Sequence, residues 1–400
     1  MAEAISKDAR SYRLTNIDFL RGLVIVIMAI DHVRDFFLTS TELDPMTQPE
    51  AALSIYLTRW VTHFCAPVFV FLAGTSAGLM AARKSSAELG AFLFKRGLWL
   101  IFVEVAIIST SVTTSPAGMA EYQGATLMVF QVIWVIGASM ILLAGLQFLG
   151  TRACLYLGAA IVLGHNLLDP LWPAVDITSG DSSLWALLFY PGSFILGPFF
   201  IWEIYPLAAW VGVMLLGFGS AFIFQQAPTQ RDRQLTIIGV LCIVAFVLLR
   251  TSGIYGDANG WQPHELGLVA TLRDYMNVSK YPPSLLFLLI TLGPMAIVCA
   301  RADRWSGWLK DTLVMFGRVP FAFYVAHFIL IHILAVGMGV IQGFEASQFI
   351  TLFLFFPEGY GISLLGVYLV WLLVLAILYP FCRWMADLKS RRKDWWLSYL

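Results

Sequence analysis

Ten apolar stretches, each long enough to cross a bilayer as a helix, recur along this chain and constrain its fold more than any other feature. They occupy 17–39, 56–81, 91–113, 127–148, 153–168, 204–225, 235–250, 283–300, 312–336 and 362–382. A spanning helix needs about 20 predominantly apolar residues, because every backbone polar group in the hydrocarbon must be satisfied internally. Two further apolar stretches, 184–201 and 349–357, are broken by Pro-Gly, Gly-Pro and Pro-Glu-Gly, so they are expected as re-entrant or interfacial segments. Only 12% of the residues are charged, against roughly 25% in a soluble domain, and a water-soluble fold has no place for so much apolar surface.

Basic residues set the expected orientation. With the N-terminus in the cytoplasm, 20 of the 25 Lys and Arg residues fall at the cytoplasmic face, among them Lys7, Arg10, Arg83, Lys95, Arg152, Arg231 and the tail from Arg383 through Lys393. Arg34, Arg59, Arg250, Arg273 and Lys280 remain for the other face. The expected fold class is therefore all-α: a polytopic helical membrane protein of about ten transmembrane helices with cytoplasmic N- and C-termini. A single membrane domain covers 1–400, with a cytoplasmic N-terminus at 1–16, the bundle at 17–382 and a basic cytoplasmic tail at 383–400. No small-residue cleavage pattern follows the first span, so it is expected to be retained.

Net charge is zero and the basic residues are dispersed, which sets nucleic acid aside as a partner. All five cysteines (Cys65, Cys154, Cys242, Cys299, Cys382) lie within apolar segments without Cys-x-x-Cys spacing, so neither a disulfide framework nor a thiolate metal site is expected. Membrane lipids are the partners that the composition demands, and a homodimer is compatible with it.

Under this topology the six histidines (His32, His63, His165, His264, His327, His332) fall in the outer third of the membrane or in outer loops. Together with Asp31, Arg34, Asp35, Arg59 and Asp257 they suggest a polar chamber open to the outside. The plainer reading is that interfacial histidines cost little where they reach water. Helical periodicity places Asp18, Arg21, Ile25, Met28, His32 and Asp35 on one stripe of the first span. Arg21 and His32 are then about 16 Å apart at 1.5 Å per residue, facing a common interior. Ionisable residues within a span normally face protein or a water-filled cavity. Arg21 has the plain alternative of pairing with Asp18 and snorkelling, whereas Asp35 or Asp31 could orient His32 and raise its basicity, which makes His32 the best general-base candidate.

Arg59 and His63 lie one turn apart at the start of the second span, ahead of Pro67 and Gly74, which suit close helix packing. In the ninth span Arg318 begins the helix, and Tyr324 and His327 share a face. His332, five residues beyond His327, is rotated by about 140° from it, so the two do not readily chelate one ion, and no metal is expected. The outer loop carries Asp257 and the run Lys280-Tyr281-Pro282-Pro283. Its aromatics suit stacking on a sugar and equally suit an interfacial aromatic belt.

Leu20-Arg21-Gly22-Leu23 followed by Asp31-His32 resembles the first-helix signature of the transmembrane acyltransferases, which include the acyltransferase-three family and the heparan-α-glucosaminide N-acetyltransferase family. The segments from Thr62 to Gly74, Lys280 to Ser284, and Gly317-Arg318-Val319-Pro320 through Tyr324, His327 and His332 are similar to the bacterial branch of the latter, and the likeness runs from about 13 to about 385. This resemblance implies transfer of an acyl group, usually acetyl, from cytoplasmic acyl-CoA to a glycan-type acceptor on the far side of a bacterial inner membrane. It further implies that His32 is the catalytic histidine, with Asp35 or Asp31 beside it, and that Arg21, with Arg318, contacts the acyl donor. Arg59, His63, Tyr324, His327, His332, Tyr281 and Asp257 are candidate acceptor-side residues. His32 stands where the lysosomal members carry asparagine, so their amino-sugar specificity is not transferred. The alternative function is a secondary transporter of a small solute, with Glu104, His32 and Asp35 as coupling groups.

Overall fold

Helices dominate because the apolar runs are long and their few polar residues are grouped at helix ends. The computed structural model describes residues 14–39, 45–46, 48, 51–115, 118, 124–171, 179–392 and 394–398. In chain order the elements are α1 (Thr15–Phe37), α2 (Leu53–Val61), α3 (Cys65–Ala81), α4 (Ser86–Val103), α5 (Ser109–Thr113), β1 (Thr126–Phe130), α6 (Val132–Leu146), α7 (Thr151–Gly164) and α8 (Ala186–Phe189). There follow β2 (Gly192–Leu196), β3 (Phe199–Glu203), α9 (Leu207–Gly219), α10 (Pro228–Ser252), α11 (Leu268–Met276), α12 (Leu285–Arg301), α13 (Trp308–Arg318), α14 (Pro320–Ile341) and α15 (Leu364–Arg391).

Eight helical segments among the described residues have the length and hydropathy to cross a membrane, which makes the chain a multi-pass helical membrane protein. Neither α1 nor the α4–α5 segment is among those eight. At 23 residues, α1 is about 34 Å long, but it carries Asp18, Arg21, Asp31, Arg34 and Asp35. A π-helical turn, Glu104–Ile108, joins α4 to α5. Lipid-facing elements advertise themselves by exposed apolar residues, such as Leu241 and Leu248 on α10 and Leu365 and Leu369 on α15.

The structure redraws two of the expected spans. The one expected over 312–336 is two helices, because Val319 precedes Pro320 and leaves the helical conformation (φ −131°, ψ 45°), so the long apolar helix begins only at Pro320. The one expected over 127–148 begins with a strand. That strand, β1, pairs in parallel with β3, which pairs antiparallel with β2 across a turn at Gly197, where φ is +57°. The segment 184–201 is thus a short helix and most of a hairpin, whose ladder satisfies the backbone groups that an irregular segment would leave open. Glu203, at the end of β3, buries its carboxyl beside the Tyr205 amide and the Trp134 indole, and burial pushes its pKa up to about 9.

Helix α1 is the hub, in contact with α3, α12, α13, α14 and α15. Its closest neighbour is α13, and two glycines explain why. A Cβ on Gly22 would lie 1.7 Å from the Leu313 carbonyl oxygen, and one on Gly317 would lie 1.7 Å from the Asp18 carbonyl oxygen. Backbone therefore rests on backbone, which brings Arg21 and Arg318 to the same end of the bundle. Gly74 does the same for α3 against α9, its Cβ position falling 2.0 Å from the Met214 carbonyl oxygen, in line with the packing role expected for it.

Candidate active site

Two cavities lie at opposite ends of α1. The amino-end cavity encloses about 330 Å³, and Arg21, Ile25, Arg96, Arg318, Tyr324 and Lys389 line it together with apolar residues of α3, α4 and α6. The carboxyl-end cavity encloses about 620 Å³ between Asp31, His32, Asp35, Arg59, Lys280 and the aromatic residues Tyr190, Trp202, Tyr205, Tyr281 and Phe328. The Arg21 to His32 stripe of α1 therefore exists, with one end in each cavity. What differs from expectation is the common interior: Arg21 and His32 line separate cavities. The partition is thin, since Val132 lines one cavity and the adjacent Gln131 the other, and Tyr324 and Phe328, one turn apart on α14, are divided in the same way.

At the amino end, Arg21 donates to the Ser76 hydroxyl and, at 3.4 Å, to the Leu72 carbonyl of α3, while Asp18 lies 3.7 Å away. Among the described residues, the wall contains four basic ones and no acidic one. Arg96 and Lys389 carry no site signal in the sequence. They are 293 positions apart, and nothing in linear spacing indicates that they meet.

The carboxyl end is organised by ion pairs. One Asp31 oxygen accepts from Arg59 at 2.7 Å, and the other lies 3.0 Å from Arg34, which also pairs with Asp35. Both carboxylates are thus held by guanidinium groups, and neither orients His32. Charge-assisted bonds to a guanidinium are stronger than a bond to a neutral imidazole, so the arginines take them. His32 is instead tied to a second histidine: its Nδ1 lies 2.7 Å from Nε2 of His327, with ring centroids 5.0 Å apart.

Donor and acceptor roles follow from the far end of that chain. His327 Nδ1 faces the carbonyl oxygen of Tyr324 within its own helix. A carbonyl only accepts, so the His327 proton sits on Nδ1 and its Nε2 is an acceptor. His32 must then donate from Nδ1, which leaves Nε2 of His32 with a free lone pair in a half-buried residue that lines the carboxyl-end cavity. Phe328 stacks on the other side of the His32 ring at 4.3 Å and restricts its rotation.

The remaining candidates are dispersed. Arg59 and Tyr281 line the carboxyl-end cavity, where the Tyr281 hydroxyl is 3.3 Å from that of Tyr205 and Lys280 lies 5.0 Å over the Tyr281 ring. His63 is buried edge-on to Phe287 at 5.5 Å and lines neither cavity. His332 is a cross-link, with Nδ1 2.8 Å from the Ser111 carbonyl and Nε2 2.9 Å from that of Phe349. Asp257 accepts from the amides of Asn259 and Ser279 and the hydroxyls of Ser279 and Ser284, so it fastens the loop to the start of α12 and does not reach the cavity. Among the described residues no three His, Cys, Asp or Glu side chains gather in a metal-binding cluster.

Residues 13–251 match the family described as heparan-alpha-glucosaminide N-acetyltransferase, catalytic. The match takes in more than half of the 400 residues, including α1, α3 and the whole β-sheet. No curated protein matches the chain. The segments at 280–284 and 317–332 lie beyond the matched residues. They are nonetheless joined to it in space, by Gly317 against Gly22 and by His327 against His32.

Proposed function

The chain belongs to the heparan-alpha-glucosaminide N-acetyltransferase catalytic family, and from that premise we propose that it moves an acyl group, acetyl in the usual case, from cytoplasmic acyl-CoA to a hydroxyl or amine of a glycan-type acceptor across the membrane. In this reading the bundle has ten transmembrane helices with both termini cytoplasmic, sits in a bacterial inner membrane, and holds its active site toward the periplasm. The observation that carries the proposal is the back-to-back pair of cavities with His32 and His327 at their partition.

Each cavity suits one substrate. A wall with Arg21, Arg96, Arg318 and Lys389 and no carboxylate suits the phosphates of a coenzyme A donor, with the apolar interior taking its pantetheine arm. A wall of tyrosines and a tryptophan among internally paired charges suits a sugar ring, whose apolar face stacks while its hydroxyls find polar partners. His32 Nε2, with its lone pair fixed by the tautomer of His327, takes the proton from the acceptor as it attacks the thioester carbonyl. The proton then passes to the departing thiolate. His327 is a positioning residue in this scheme.

Transfer of radiolabelled acetyl from acetyl-CoA to a panel of amino-sugar and glycan acceptors, with purified protein in lipid nanodiscs, tests the proposal. Wild-type transfer that disappears in His32→Ala is the expected result. Solute flux in proteoliposomes without acyl consumption would sink it and favour the transporter alternative, in which Glu104, buried with one oxygen accepting from the Trp134 amide at the start of α6, is a coupling candidate.

A further inference from the structure

Tyr324 holds a hydroxyl that the rest of the fold does not use. The residue is 4% exposed, its Oη has no hydrogen-bond partner, and it lines the amino-end cavity. Buried tyrosine hydroxyls usually find a partner, because leaving one unmade costs about 1–3 kcal/mol. Sites that keep such a donor open are commonly those where a ligand completes it.

Its position relative to His32 gives the open donor a purpose. Tyr324 and His32 pack on the same ring, Phe328, with centroid distances of 5.3 and 4.3 Å. The backbone carbonyl of Tyr324 is also the group that fixes the His327 proton, and through it the His32 tautomer. One residue thus joins both sides of the partition, its carbonyl toward the histidine pair and its side chain in the wall of the amino-end cavity, with the hydroxyl buried. The π-helical turn at Glu104–Ile108 packs against α14.

Building on the acyltransferase reading, we propose that the Tyr324 hydroxyl donates a hydrogen bond to the carbonyl oxygen of the acyl thioester and stabilises the oxyanion formed in transfer. The acceptor O–H or N–H loses its proton to His32 Nε2 as its heteroatom bonds to the carbonyl carbon. The carbonyl electron pair moves onto oxygen, where Tyr324 Oη–H meets it. Collapse restores the carbonyl and breaks the carbon–sulfur bond. The thiolate of coenzyme A takes the proton from the His32 imidazolium, leaving the acylated acceptor and free thiol. Tyr324 remains protonated throughout, as a donor aimed where charge develops requires.

Tyr324→Phe keeps the ring that packs on Phe328 and the carbonyl that orients His327, and removes only the hydroxyl. The expected result is a fall in kcat of about 10² or more, the range typical of an oxyanion-hole donor. Binding of free coenzyme A, which has no thioester carbonyl, should remain within about twofold of wild type, and thermal stability should be unchanged or raised, since the variant no longer buries an unpaired hydroxyl. Near-normal turnover in Tyr324→Phe overturns the assignment, and so does a parallel loss of coenzyme A binding, which would mark a packing role. A wild type that transfers no acyl group overturns the underlying reading as well, so the two failures are distinguishable.

Discussion

At one end of α1, four cations face a cavity whose wall carries no carboxylate. At the other, Arg34 and Arg59 are tied to Asp31 and Asp35, and only Lys280 exceeds the pairing. Identical residue types have been put to different uses by what shares their cavity wall. A partly enclosed wall that carries four cations favours a polyanion, since each phosphate oxygen gains charge-assisted bonds that water shares less well. Paired ions, by contrast, have their desolvation already offset by each other, so they hold the cavity open and fix its shape without selecting strongly for charge. Tyr190, Trp202, Tyr205 and Tyr281, which line the carboxyl-end cavity, then set what is bound there.

Breaking the catalytic end should cost most. His32→Ala removes the proposed base and is expected to lower kcat by about 10³, within the 10²–10⁴ typical of a lost general base, while leaving the affinity for coenzyme A intact. Unchanged turnover would end the assignment of His32. Next comes the ion-pair cluster: Asp31→Ala withdraws the carboxylate shared by Arg34 and Arg59 and should destabilise the protein by about 3 kcal/mol, read as a lower unfolding midpoint in detergent. If the midpoint does not move, the cluster contributes shape and no stability.

The amino end should respond differently. Arg318→Ala is expected to raise KM for acyl-CoA about tenfold, equivalent to about 1.4 kcal/mol, with KM for the acceptor unchanged. The penalty should shrink as ionic strength rises. An effect on acceptor KM instead would mean that the roles of the two cavities are reversed or shared.

The smallest effect concerns the β-sheet that walls the carboxyl-end cavity. The buried Glu203 carboxyl has its pKa pushed from the ordinary 4.5 up to about 9, so at neutral pH it is a neutral acid. Its contribution is fully present below the unfolded value of 4.5 and is lost as pH rises toward 9, because over that window the unfolded chain gives up a proton that the folded one keeps. Glu203→Gln, neutral at every pH, should therefore flatten the fall between pH 4.5 and 9 and melt higher than wild type at pH 7, both measurable by thermal melts across pH. A variant that melts with the same alkaline slope as wild type would place that slope elsewhere.

Much of this architecture could be read from the chain itself wherever the information is local. Apolar run length declares the helices, and α1 spans Thr15–Phe37 where 17–39 was expected, with its Arg21 to His32 stripe intact because helical periodicity is a property of one segment. The break before Pro320 was local too, though the apolar run continued across it and masked it. The sheet was hidden for a different reason. Thr126–Phe130 and Phe199–Glu203 each hold four apolar residues in five and become strands only by pairing across 73 positions.

The sequence by itself determined that the chain lives in a membrane as a helical bundle, and that Arg21 and His32 face one direction on a single helix. Only the tertiary structure decided who their partners are. His32 and His327 are separated by 295 residues, and no periodicity within either helix predicts a hydrogen bond between them. The same holds for the arginines that claim Asp31 and Asp35 before the imidazole can, and for the thin partition that makes two cavities where one interior was expected. Local pattern fixes which face a side chain occupies, whereas hydrogen-bond partners and enclosed volume are set by which distant helices pack against that face.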